Sequence, residues 1–204
     1  MVGQPVRQET GADGLALVPG ETIRLFTAID LPEEAKRSVS RLCRGVPGVR
    51  WVNPDQLHLT LRFIGEVDRR LFERIKMNLA DIVSPPVTLT LQSVGSFPVS
   101  GPPRVLWVGI ERTEALGSLH TQVEQVMVAS GCDAETRRFS PHITLARLKD
   151  IPRSLVVPYL AEHASFIEGP AEVREFLLYS SLLSRQGSRH TVEASYPLAA
   201  VEAP

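Results

Sequence analysis

His58 and Thr60 recur 84 residues later as His142 and Thr144, inside the phrases His58-Leu59-Thr60-Leu61 and His142-Ile143-Thr144-Leu145. Two imidazoles, each with an ordinary pKa of about 6.5, can act as acid and base near neutral pH. Both phrases lie in apolar runs with strand character, LHLTLRFIG and HITLARL. Residues i and i+2 share a strand face, so each histidine lies beside its threonine. Leu57, Leu59 and Leu61, and in the second copy Ile143 and Leu145, point the other way. A core position would take valine more readily than threonine, which has the same shape but a hydroxyl, costly to desolvate, in place of one methyl group. Each phrase therefore has one core face and one polar face.

In-line displacement at phosphorus needs a base on the nucleophile side and an acid on the leaving-group side. Two histidine strands facing one another across a cleft supply that arrangement. Threonine hydroxyls could hold the equatorial oxygens, and an arginine could offset the developing charge. Other chemistries have less support. A catalytic zinc takes three protein ligands, and no third side chain stands at ligand spacing, so neither a metal nor a cofactor is expected. The chain has no P-loop, GxGxxG or GxSxG segment. Ser140-Pro141 reads as the start of a strand. His120, His163 and His190 fall in helix or terminal-strand contexts and are expected to face solvent.

The elements that must position these residues follow from periodicity. ETIRLFTAID alternates as a strand, and Leu31-Pro32-Glu33-Glu34 opens a helix reaching about Arg44, with Gly45 and Pro47 beyond it. A short strand near Arg50 to Val52 and the turn Asn53-Pro54-Asp55 lead into the first histidine strand, which Gly65 is expected to stop. Leu71, Ile75, Leu79 and Ile82 describe a helix within residues 67–83. VTLTLQSVGSF and RVLWVGI are strands joined by PVSGPP, a hairpin connection or a flap. Leu116, Leu119, Val123, Val126 and Met127 mark a helix over 114–130. The second histidine strand follows, then a helix near Ser154 to His163 and the strand pair VREFLLYSSLL and RHTVEASYPL. This order predicts an α+β protein of two similar lobes, each a largely antiparallel sheet with outer helices.

At 204 residues, with 43% hydrophobic and 22% charged residues, the chain can bury a full core. No apolar stretch approaches the roughly 18 residues of a membrane span. Residues 1–20 read as a flexible tail without a secretion signal, and 21–204 as a single bilobal domain. Cys43 and Cys132 sit near helix ends as ordinary thiols, which fits a reducing cytoplasm. The net charge of −1 gives no global attraction to nucleic acid. An anion must be held locally, and Arg62, Arg104, Arg137, Arg138 and Arg147 lie in or near the histidine strands.

The segments RLFTAIDLP, RWVNPDQLHLTLRFIGEV, RVLWVGI, FSPHITLARLK and EFLLYSSLLS, in that order, resemble the RNA 2',3'-cyclic phosphodiesterases of the 2H phosphoesterase superfamily. The resemblance runs from Arg24 to the C-terminus. It implies two lobes around a central groove and metal-independent opening of 2',3'-cyclic phosphate ends of RNA or nucleotides to 2'-phosphates. It also implies His58 as proton donor to the leaving 3'-oxygen and His142 as the acceptor that activates water. Thr60, Thr144 and Arg147 would bind the phosphate. The expected protein is a cytoplasmic monomer with no obligate protein partner.

Simple alternation puts Arg147 on the face of Ile143 and Leu145, so a bulge or strand end near Ala146 is needed to turn it toward the groove. Arg62 is on the histidine face by the same rule. Phe26 and Phe63 are expected in the core, with base stacking as the alternative. Three further functions stay open on sequence: a module that binds RNA ends without turnover, a phosphoesterase for another cyclic nucleotide, and RNA joining by direct reversal.

Overall fold

The computed structural model describes residues 22–184 and 187–199. The expected tail, residues 1–20, lies outside them. The described chain contains β1 (Ile23–Asp30), α1 (Glu33–Ser40), β2 (Arg50–Trp51), β3 (His58–Val67), α2 (Arg69–Leu79), β4 (Val87–Phe97) and β5 (Val105–Ile110). It continues through α3 (Glu114–Ala129), β6 (His142–Arg147), α4 (Arg153–Glu162), β7 (Ile167–Val173), β8 (Glu175–Ser184) and β9 (Gly187–Pro197).

Local signals place the helices. The Asp68 carboxylate accepts from the Leu71 amide at 2.7 Å to start α2, and the Thr113 hydroxyl accepts from the Leu116 amide at 3.2 Å to start α3. Glu33 and Glu34 lie in the first turn of α1, where the helix dipole favours acids.

All pairings are antiparallel, and the order β7-β4-β5-β6-β3-β1-β8-β9 makes one continuous sheet with β2 added beside β6. The two expected lobes are its two four-stranded arms. They meet where β3 and β6 pair at Leu59 and Ile143. Each arm draws on both parts of the chain. β4 leaves the β3 side to pair with β5, and β8 returns to pair with β1.

One face of the sheet carries the main core. Leu57, Leu59, Leu61, Ile143 and Leu145 are buried there together with Ile75 and Leu79 of α2 and Leu116, Leu119, Val123 and Met127 of α3. Fully burying one such side chain contributes roughly 1.5–3 kcal/mol. This burial fixes which face the histidines must take. A second, smaller cluster, Phe26, Ala28, Leu177 and Tyr179, lies apart from this core. Phe26 stacks on both Tyr179 and His58, so the cluster lies beneath the first histidine.

Three local expectations need correction. β3 does not stop at Gly65 but continues to Val67, with Gly65 at φ +93° inside an irregular stretch. β7 is absent from the sequence reading, because Gly169-Pro170 disguises IEGPAEV; it pairs along β4 as an outer strand, where proline is tolerated. His120, His163 and His190 are half-buried, not solvent-facing. His120 stacks on Phe139 at 3.9 Å, and His163 meets Tyr159 edge-on at 4.6 Å.

Candidate active site

β2 and the start of β3 follow the same edge of β6. Arg50 lies opposite Arg147, Trp51 opposite Ala146, and Leu59 opposite Ile143. Between them the 3-10 turn Pro54–Gln56 loops out, with the Asn53 side chain accepting from the Asp55 amide at 3.2 Å. Antiparallel register through Leu59 and Ile143 sets His58 against Thr144 and Thr60 against His142. The two phrases are therefore related by a local two-fold, and their polar faces coincide.

Both histidines are held alike. His58 Nδ1 lies 2.8 Å from the Gln56 carbonyl, and His142 Nδ1 lies 2.6 Å from the Ser140 carbonyl. A carbonyl only accepts, so each Nδ1 carries a proton and Nε2 is left for chemistry. Neutral, that Nε2 is a base; protonated, it is an acid. The two walls differ, however. His58 stacks on Phe26 at 5.1 Å and meets His190 edge-on at 5.4 Å, whereas His142 meets Phe97 edge-on at 5.1 Å and Trp107 at 6.3 Å.

A groove of about 850 Å³ runs over this junction, and His58, Thr60, Thr144 and Arg147 line it. His142 stands beside the lining. Arg147 reaches the groove through a bulge: Trp107 pairs with Thr144 and Leu106 with Ala146, so Leu145 is the extra residue. The first phrase has the same irregularity. Ala28 pairs with Thr60 and Thr27 with Arg62, which leaves Leu61 as the extra residue.

That second bulge reverses two expectations drawn from alternation. Arg62 turns away from the histidine face; its Nε donates to Glu124 at 2.6 Å, its Nη2 donates to the Asp133 carbonyl at 2.6 Å, and Glu135 lies 3.7 Å away. Phe63 takes the groove position and is 47% exposed, while Phe26 is buried beneath His58. Arg104, Arg137 and Arg138 do not line the groove either. Arg24, Arg50, Arg189 and His190 do, and sequence reasoning missed them. Only Arg24 carried a readable signal, since alternation puts it on the face of Phe26.

Burial, then the neighbouring His190, Arg147 and His142, push the His58 imidazole down to about 4 against the Gln56 bond that favours its charged form. His142 is lowered by burial and by Arg147, against its bond to Ser140. The protein surroundings thus keep both rings neutral. A bound anion would act oppositely and raise both. His190→Phe keeps a ring but removes a like charge, so His58 should titrate higher in that variant by NMR. For stability the sign is also fixed. The unfolded chain protonates His58 near 6.5 and the folded one near 4, so stability present above pH 6.5 is lost as the pH falls through 4.

Gly95 supports the second wall. It pairs with Trp107, whose indole lies where a Cβ on Gly95 would sit. Gly95→Ala should displace the indole from beside His142 and cost about 1–3 kcal/mol by overpacking. Urea unfolding checks it.

Among the described residues, no three His, Cys, Asp or Glu side chains form a metal-holding group, and no helix is long and apolar enough to cross a membrane. The family described as LigT like phosphoesterase matches residues 29–107 and again 108–190, one histidine phrase in each. The RNA 2',3'-cyclic phosphodiesterase of Archaeoglobus fulgidus is 32% identical over 168 residues, spanning 81% of this chain and 94% of that protein. The Escherichia coli enzyme of the same name is 35% identical over 175 residues, 84% and 94%. In structure, E. coli LigT complexed with 3'-AMP superposes with a TM-score of 0.71 at 32% identity, covering 87% of this chain and 99% of that one. A Thermus thermophilus protein gives 0.73 at 29% identity, covering 86% and 97%.

Proposed function

The chain belongs to the LigT-like phosphoesterases, and from that premise we propose that its groove hydrolyses the 2',3'-cyclic phosphodiester at RNA or nucleotide ends to a 2'-phosphomonoester. The observation that carries this reading is the antiparallel meeting of the two phrases. It sets two Nδ1-anchored imidazoles around one junction lined by Thr60, Thr144 and Arg147.

In this reading His142 Nε2 takes a proton from water as the oxygen attacks phosphorus. The bond from phosphorus to the 3'-oxygen breaks, and His58 Nε2 gives that oxygen its proton. The 2'-ester bond is kept, and each histidine ends in the other's starting state. Thr60 and Thr144 hydroxyls donate to the non-bridging oxygens, and Arg147 offsets their charge. The substrate anion itself supplies the attraction that charges His58, which the protein surroundings alone hold neutral.

The test is to incubate the protein with 2',3'-cyclic and 3',5'-cyclic nucleotides, with and without EDTA, and to identify the phosphate isomer formed. A 2'-phosphate from the 2',3'-cyclic substrate alone, unaffected by EDTA, is expected. Binding without turnover, or turnover abolished by chelation, would overturn the reading.

A further inference from the structure

The groove carries more positive charge than one phosphate requires. Arg24, Arg50, Arg147 and Arg189 line it, and no aspartate or glutamate is among the described lining residues. This occurs in a chain whose net charge is −1. None of the four arginines forms an ion pair among the described residues.

Their placement is continuous. Arg50 and Arg147 are direct cross-strand partners, an arrangement of like charges that works against the pairing of β2 with β6. The Arg50 guanidinium extends to the β9 side, where its Nη2 lies 3.3 Å from the Cβ position of Gly187. Arg189 follows two residues later. Leu25 pairs with Ser180 and Ser181 with His190, so Arg24 of β1 falls in one row with Ser181 and His190. The cations thus run from the Thr144 and Arg147 end, through Arg50, to the β9 edge. A volume of about 850 Å³ is near the upper end of small-ligand pockets, roughly 300–1,000 Å³.

We propose that Arg24, Arg50 and Arg189 form a second phosphate subsite, which binds the internucleotide phosphate on the 5' side of the reacting nucleotide and makes an oligoribonucleotide end the preferred substrate over a free cyclic mononucleotide. The subsite rests on the hydrolase reading above. Its ligand is fixed by charge: a single-stranded backbone presents a second anion at a short covalent distance from the cyclic one, and guanidinium forks suit phosphate oxygens. Half-exposed Phe63 offers a face on which a base can stack.

The test compares three substrates with the full chain: cytidine 2',3'-cyclic phosphate, a dinucleotide ending in the same cyclic phosphate, and that dinucleotide with a neutral methylphosphonate linkage. The charged dinucleotide should have a kcat/KM at least roughly tenfold above the other two. Its salt dependence should be steeper by about 0.7 in log–log slope, the increment for one further phosphate on a single strand. The Arg50→Gln, Arg189→Gln double variant should lose most of that advantage and slope, and the corresponding double lysine variant should keep the slope. An advantage retained by the methylphosphonate, or equal losses on all three substrates in the glutamine variant, would overturn the subsite. If the unaltered protein opens none of the three, the hydrolase reading fails and the subsite falls with it.

Discussion

His58→Ala and His142→Ala are each expected to lower kcat on 2',3'-cyclic ends by roughly 10²–10⁴-fold, the range for loss of a positioned acid or base. Neither ring belongs to the main core, so both variants should fold, with circular dichroism and urea midpoints near those of the unaltered protein. The double variant should be little worse than either single one, because the two groups act in one transition state. The two losses should differ with pH. In the proposed reaction His58→Ala removes the acid and His142→Ala the base, so each should erase a different limb of the bell. Full activity in either variant would refute the two-histidine reading.

Arg147 and Arg62 should give opposite outcomes. Arg147→Gln removes a cation that lines the groove with Thr60 and Thr144 and, in the proposed reaction, should reduce kcat by roughly 10²–10³-fold, as loss of one oxyanion partner does. It is exposed and unpaired among the described residues, so its loss should leave stability nearly unchanged. Arg62→Gln leaves the Glu124 carboxylate without its cation and frees the Asp133 carbonyl, while Glu135 keeps its pair with Arg137. That should cost about 1–3 kcal/mol, between an exposed ion pair and a fully buried one, while kcat of the folded protein persists. Chemical unfolding and steady-state kinetics on both variants separate the roles. A catalytic loss without a stability loss in Arg62→Gln would place that residue in the chemistry.

The Arg62 reversal shows where sequence reading stopped. The histidine strands, the long helices and the hairpin around PVSGPP follow from periodicity and turn chemistry, and lie close to the expected bounds. A bulge leaves no comparable trace, because one extra residue changes the face of everything after it without changing composition. Leu61 is such a residue, so alternation put Arg62 in the groove and left Phe63 for the core. Arg147 could be suspected because the resemblance and the alternation disagreed about it. His190 could not, because its place depends on β9 returning beside the first histidine. The Gln56 side chain, which donates to the Ser188 carbonyl at 2.5 Å, makes such a contact across 132 positions of chain.

The exchange of β4 and β8 between the arms bears on how a symmetric site could become directional. A half-chain of this design would leave its last strand without a neighbour and would close only by pairing with a second copy, giving a two-fold dimer with the axis between Leu59 and Ile143. In that dimer both imidazoles would occupy identical surroundings, and nothing would distinguish the side of attack from the side of departure. Joining the halves into one chain removes the constraint. The fifth position after each histidine can then be phenylalanine in one copy and arginine in the other, and a third imidazole can stand beside only one of the pair. In the proposed reaction, two unlike halves in one chain thus give the attacking and the leaving oxygen different surroundings.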